Sequence, residues 1–517
     1  MNKKISISLL YLLILAGTAH AALRVTDLRT EQLKNPLGID IRHPRLGWRI
    51  ESDEQNVMQT AYHILVASSP ELLAQGKGDC WDSGKVKTDA SQWITYQGET
   101  LKRNTPYYWK VKVYTHTNET DWSEPASWSM GLLNEADWKG QWIGLDRPAP
   151  GDSETQWSRL AARYLRKEFA LTKEVKRATV HIAGMGLYEL FINGQRIGEQ
   201  VLAPAPTDYR KTILYNTYDV TPQLQKENAI GVILGNGRFY TMRQNYKPYK
   251  IPTFGYPKLR LNLIIEYTDG SRQTIASDIS WKLTTEGPIR SNNEYDGEEY
   301  DARKELGDWN RTGYDDTNWI PAGRVSIPSG TLRAQMMPGM KVTESLKPVS
   351  IRKQGDKHIL DIGQNMAGWL RIRIKGQAGD SIRLRFAERL QADGEIFTKN
   401  LRDAHCTDIY VVSGREPQDT TWAPRFVYHG FRYVEISGYP NAKTEDFTAE
   451  VVDDEMAHTG TFTCSDETLN QVLHNAFWGI RSNYKGMPVD CPQRNERQPW
   501  LGDKQKVVQG IHDLFYI

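Results

Sequence analysis

The sequence predicts a multidomain, mainly β protein in which a run of β-sandwiches gives way to helices near the C-terminal end. Three observations predict this. The chain has 517 residues, enough for three or four domains at roughly 150 residues each. Up to about residue 455, apolar residues recur with period 2 between breaks of Gly, Asn, Asp and Pro, the pattern of half-buried strands. At Cys464-Ser465 the apolar period changes to that of a helix. Charged residues at 25% and aromatics at 10% exclude a mostly disordered chain.

Residues 1–21 read as a leader. Lys3 and Lys4 precede an apolar run from Ile5 to Leu15, and Ala19-His20-Ala21 follows. A basic start, a short apolar core and a small-residue site predict a secretory signal peptide cut after Ala21, hence export to the periplasm or beyond. The run is shorter than the ~20 apolar residues of a spanning helix, and no later stretch is apolar enough to span. Taking Lys3 and Lys4 from the 65 basic residues leaves 63, against 63 acidic ones. That balance argues against nucleic-acid and anionic-membrane partners, which need a clustered cationic excess.

Residues 22–144 form the first predicted sandwich. Ala61–Val66 begins with alternation, and Tyr107-Tyr108-Trp109-Lys110-Val111-Lys112-Val113-Tyr114 alternates strictly, which indicates antiparallel sheets. The stretch Asn104–Val111 with Trp122-Ser123 resembles a fibronectin type III domain, and its aromatics read as core. Residues 145–335 form a second sandwich, with the architecture of a jelly roll of the kind used for sugar binding. There Leu187–Ile192 runs into Asn193-Gly194, a strong hairpin signal because both residues tolerate positive φ. Thr212–Val220 and Leu259–Ile265 add strands. The run Tyr295-Asp296-Gly297-Glu298-Glu299-Tyr300-Asp301 packs four acids and two tyrosines together. It offers oxygens to calcium or a glycan, but it lacks EF-hand spacing and reads as a solvated loop closing the sandwich. No metal or other cofactor is assigned.

After the jelly roll, a further β-sandwich spans 336–455, the third β segment of the chain. Leu370–Ile374 and Ile382–Phe386 alternate apolar residues with Arg, and the arginines read as a solvated sheet face rather than an anion site. In residues 456–517, Leu469, Val472, Leu473, Ala476, Phe477 and Ile480 fall on one helical face, with Ser465 as N-cap and Asp466 and Glu467 at the positive end of the dipole. A second amphipathic stretch carries Val507, Val508, Ile511, Leu514 and Phe515. Two helices do not make a helical domain, and the apolar end without a Gly cap reads as the front part of a longer architecture. Of Cys80, Cys406, Cys464 and Cys491, only the last two fall in one predicted domain; spacing does not establish a bond between them, and no His stands at zinc-ligand spacing from them.

Between the helices lies Asp490-Cys491-Pro492-Gln493-Arg494-Asn495-Glu496-Arg497-Gln498-Pro499-Trp500-Leu501-Gly502-Asp503. It places three carboxylates within fourteen residues, with prolines that suppress helix and fix the path of the loop. Glycoside hydrolysis needs a protonated carboxylic acid. A Glu between two Asp suits that task, because neighbouring negative charge raises its pKa; Arg494 and Arg497 oppose the shift if they pair with it. Trp500 offers a flat apolar face to a sugar ring.

This motif resembles the signature of bacterial α-L-rhamnosidases, glycoside hydrolase family 78, and the order of several β-sandwiches before helices is similar. The resemblance implies an (α/α)6 catalytic barrel of which 456–517 is the incomplete start, hydrolysis with inversion, and a rhamnose-containing oligosaccharide, polysaccharide or glycoside as partner. It implies Glu496 as general acid, Asp490 and Asp503 as ligands of rhamnose hydroxyls, Arg494 as support and Trp500 as lining. Gln498-Pro499 stands where the family often has Leu-Gly, and the family's general base lies on a later helix, beyond residue 517. Two other readings are a non-catalytic carbohydrate-binding β protein with a vestigial helical tail, and a helical-barrel glycosidase or lyase acting on another sugar. The sequence assigns no oligomeric state.

Overall fold

A computed structural model describes residues 23–153, 159–241, 254–500, 502 and 515–516. The leader, Asp503 and the second amphipathic stretch up to Leu514 lie outside the described residues. The protein is mainly β and multidomain. Its chain divides into two units, one of residues 1–36 and 41–129, the other of 37–40 and 130–517.

The first unit is a two-sheet, immunoglobulin-like sandwich. One sheet holds Arg24–Thr30, Arg45–Glu51 and Ile94–Thr95; the other runs Trp81–Lys87, Gln59–Ala67, Pro106–Thr115, Ala126–Ser129. The alternation in Pro106–Thr115 is realised: Tyr107, Trp109, Val111 and Val113 are buried, while the residues between them are half exposed. Trp48 meets Tyr62 edge-on at 5.3 Å, and Tyr107 stacks on Trp128 at 5.5 Å. Such rings contribute ~0.5–1.5 kcal/mol per pair beyond their buried area. These aromatics are core.

The second unit stacks three sheets. A seven-stranded sheet includes Val175–Met185, Thr212–Asp219 and Lys258–Tyr267, and a six-stranded sheet includes Arg163–Ala170, Leu187–Ile192 and Glu227–Gly235. Leu190 and Ile192 pack with Val180 and Leu261 of the first sheet, whereas Leu187 and Phe191 pack with Leu360 and Trp369 of the third. The six-stranded sheet is therefore a middle layer covered on both faces, which is why Leu187–Ile192 is buried at every position. Its hairpin turns at Asn193 (φ 51°) and Gly194 (φ 82°), both in the left-handed region.

The third sheet has ten strands, with its main path in the order Ile289–Asn293, Gly297–Asp301, Thr407–Val411, Ser381–Ala387, His429–Ser437, Lys357–Arg373, Phe447–Asp454, Met340–Leu346. Two of its strands correct the expected solvated loop at 295–301. Gly297–Asp301 pairs in parallel with Thr407–Val411, Tyr295 is fully buried, and Glu298 is 1% exposed. The run looked like a loop because its acids break the apolar pattern; backbone pairing and buried hydrogen bonds to those acids hold it inside.

The helix Glu467–Asn483 lies against Lys357–Arg373 and Phe447–Asp454. Its N-cap is Asp466 rather than Ser465, since the Asp466 carboxylate accepts the N–H groups of Thr468 and Leu469. On its apolar face, Leu469 and Val472 are 52% and 59% exposed. The helix is seated through its last turns. The Arg481 guanidinium donates to Asp453 at 2.8 Å, Glu344 at 2.7 Å and Thr343 at 3.0 Å, and lies 4.6 Å over Trp478. Phe515–Tyr516, placed by the sequence in a helical stretch, is extended and pairs with Ala457–His458. All four cysteines are free.

Candidate active site

The segment after this helix is built by close packing. Gly486 takes φ 71° and gives its N–H to Asp454 Oδ1 at 2.7 Å, which turns the chain back over the ten-stranded sheet. Pro492 and Gln493 then press on Gly430, where an added Cβ would stand 2.7 Å from Pro492 Cγ. The Gln493 carbonyl accepts from the Cys406 thiol at 3.0 Å. Arg497, fully buried with φ 50°, acts as the rivet. Its guanidinium donates to the carbonyls of Glu294 (2.7 Å), Tyr428 (3.0 Å) and Arg494 (3.2 Å) and lies 4.6 Å over the Tyr428 ring, and its own carbonyl accepts from Arg238. The sequence alone does not fix this arginine's direction. It points away from Glu496, into the sheet.

Glu496 is 6% exposed. Its Oε2 accepts from Arg494 Nε at 2.8 Å and Arg402 Nη1 at 3.0 Å, and its Oε1 accepts from Trp500 Nε1 at 3.0 Å. Arg494 reaches on to Asp490 at 3.2 Å, and the other Asp490 oxygen accepts the Gln498 N–H at 2.9 Å. Asp490, Arg494, Glu496 and Trp500 are thus brought together; Asp503 lies outside the described residues. Charge-assisted bonds of this kind are about twice as strong as neutral ones, and they hold Glu496 in one orientation.

Three further residues join the site from the preceding sheet. Arg402, at φ 57° in a left-handed turn, is one; Asp403, which accepts from Asn495 at 3.4 Å, is another. Glu388 is the third: burial lifts its carboxyl above the ordinary range, against hydrogen bonds from Asn365 and Asn400 and the nearby charge of Arg494. No local pattern marks them, because they lie 93 or more positions from Glu496 and belong to turns. The left-handed Arg402 is the kind of strained residue that gathers at functional sites.

Asp490, Cys491 and Glu496 place one potential ligand atom each within 4.8 Å of one another. The donor set does not suit a metal. Arg494 already spans the two carboxylates and holds the place a cation would take between them.

Four family models match along the chain: a Rha78A-like N-terminal immunoglobulin domain over 25–134, an alpha-L-rhamnosidase N-terminal domain over 173–344, a bacterial alpha-L-rhamnosidase concanavalin-like domain over 351–453, and a bacterial alpha-L-rhamnosidase 6 hairpin glycosidase domain over 457–515. An alpha-L-rhamnosidase of Formosa agariphila is 38% identical over 494 residues, covering 91% of this chain and 52% of its own length. The chain therefore spans about half the length of the curated relatives it matches. The solved alpha-L-rhamnosidase from Dictyoglumus thermophilum superposes with a TM-score of 0.88 at 39% identity, covering 95% of this chain and 55% of that one. The Streptomyces avermitilis alpha-L-rhamnosidase complexed with L-rhamnose gives 0.89 at 28% identity, covering 96% and 64%. Successive domain matches from residue 25 to 515, agreement with solved relatives, and the geometry around Glu496 lead to one assignment: this chain belongs to the bacterial α-L-rhamnosidase family, glycoside hydrolase family 78.

Proposed function

We propose that the protein carrying this chain is an exported glycoside hydrolase that releases terminal α-L-rhamnose, with inversion, from a rhamnose-containing oligosaccharide, polysaccharide or glycoside. Residues 1–21 serve as the cleaved leader; among the described residues no helix is long and apolar enough to cross a membrane. The sandwiches 22–144, 145–335 and 336–455 support residues 456–517 as the start of an (α/α)6 barrel, of which this chain holds an incomplete part.

Glu496 is the general acid. Oε2 accepts from two guanidiniums, which favour the ionised carboxylate, and Oε1 accepts from the neutral Trp500 N–H, so Oε1 is the oxygen that delivers the proton. Arg494, which already holds Asp490, keeps the two carboxylates apart and supports the pocket. Asp490 and Asp503 accept rhamnose hydroxyls, and the Trp500 ring packs on the sugar. An inverting reaction places its base about 6.5–9.5 Å from the acid across the sugar; here that base comes from residues outside this chain, consistent with its covering 52% of its relative's length.

The observation that carries the reading is the buried Glu496, fixed by Arg402, Arg494 and Trp500 beside Asp490. Glu496→Gln in the protein carrying this chain should reduce release of phenol from phenyl α-L-rhamnoside by about 10²–10⁴-fold, the range of general acid catalysis, while rhamnose still binds. Turnover within tenfold of the unmodified protein would remove the assignment.

A further inference from the structure

One face of the ten-stranded sheet floors a cleft of about 550 Å³, a size ordinary for small-molecule and sugar sites. Six neighbouring strands contribute to it: Ile289–Asn293, Gly297–Asp301, Thr407–Val411, Ser381–Ala387, His429–Ser437 and the start of Lys357–Arg373. Most charges around it are matched. Arg159 pairs with Glu299 at 2.8 Å, Lys357 with Glu435 at 3.1 Å, and His405 stands 3.8 Å from Asp296.

Two charges are not matched. Arg383 and Arg385 are exposed on the floor of the cleft, and neither has an ion pair or a side-chain hydrogen bond among the described residues. Two positions apart on one strand, they share a face about 7 Å apart. Glu435, directly across from Arg385 in the register, spends its charge on Lys357. Two adjacent like charges repel, and an anion laid across them would relieve that cost.

We propose that this cleft binds an acidic saccharide, a sugar chain carrying a uronate-type carboxylate. The guanidinium forks of Arg383 and Arg385 hold the carboxylate, and Glu299, Glu435 and Ser437 meet hydroxyls. The interleaved carboxylates are what select this ligand. They repel a continuous phosphate backbone, whereas isolated acids among many hydroxyls fit alternating acid and base. The proposal goes beyond the reading of Glu496 and does not rest on it. The two sites lie along one segment, since Arg402 reaches Glu496 while His405 and Thr407 line the cleft.

The test is calorimetric titration of the full chain with trigalacturonate, with its methyl ester and with inorganic sulfate. Trigalacturonate should bind, and the R383Q/R385Q double variant should bind at least tenfold more weakly. The methyl ester should bind as weakly to the unmodified chain, an arm that needs no variant. E496Q should leave the affinity unchanged, which separates this cleft from the candidate active site. Absence of trigalacturonate binding, equal affinity for the methyl ester, equal affinity in the double variant, or loss of binding in E496Q would each overturn the proposal. Sulfate binding as tightly as trigalacturonate would make this a small-anion site and overturn it too.

Discussion

Replacing Glu298 with Gln probes how the ten-stranded sheet is held behind the candidate site. Its carboxylate accepts the backbone N–H groups of Arg425 and Phe426, both at 3.1 Å, in the stretch leading to Tyr428, whose carbonyl takes Arg497. Burial, with the charge of Asp408 adding to it and those N–H groups opposing it, pushes the carboxyl from 4.5 up to about 8. A carboxyl raised on folding contributes stability that is full below the unfolded value and is lost as pH rises towards the folded one, at about 1.4 kcal/mol per pH unit. Between pH 4.5 and 8 the folded form keeps a proton that the unfolded form has released. Roughly one unit of this is gone by pH 5.5 and about three by pH 8, a difference of ~3 kcal/mol from this one group. Denaturant unfolding followed by tryptophan fluorescence at both pH values measures it. The unmodified chain should lose ~3 kcal/mol more than E298Q over that interval, because Gln keeps the acceptor and carries no titrating proton. Superimposable pH dependences would refute the reasoning.

Two other perturbations address the site and its support. Trp500→Phe keeps a ring but removes the N–H on Glu496 Oε1; a hydrogen bond to a neutral acid contributes about 0.5–1.5 kcal/mol, so kcat/KM in the protein carrying this chain should fall roughly 2–10-fold. Arg481→Met strips the partner from Asp453, which is 3% exposed; leaving such a charge unpaired costs about 3–5 kcal/mol. Limited proteolysis should then cut within Glu467–Asn483 at a denaturant concentration that leaves the unmodified chain intact.

Local rules reach some elements and stop at others. Pro106–Thr115 and the Asn193-Gly194 hairpin were readable because period-2 burial and positive φ are properties of a few adjacent residues. The helix at Glu467–Asn483 was readable as a helix from its 3.6-residue period, but not the face it presents. A periodic stripe states which side chains are apolar, whereas seating depends on what stands opposite, and here Arg481 finds Asp453 and Glu344. The 295–301 run misled for the converse reason. Its acids resemble a surface loop until distant backbone groups, those of Arg425 and Phe426, supply their hydrogen bonds.

At the candidate site, the order of Asp490, Arg494, Glu496 and Trp500 along one proline-bounded segment is enough to nominate an acid and its neighbours, since all four lie within eleven residues and their chemistry is local. Tertiary structure alone decided that Arg497 turns into the sheet while Arg402, from 94 positions away, takes its place on Glu496. It also decided that Arg383 and Arg385, exposed on their sheet face, line a cleft. Charge partners are chosen by proximity in space, and in a sheet whose neighbouring strands come from residues 297, 407, 381 and 429 onward, proximity is set by register across long loops and not by spacing along the chain.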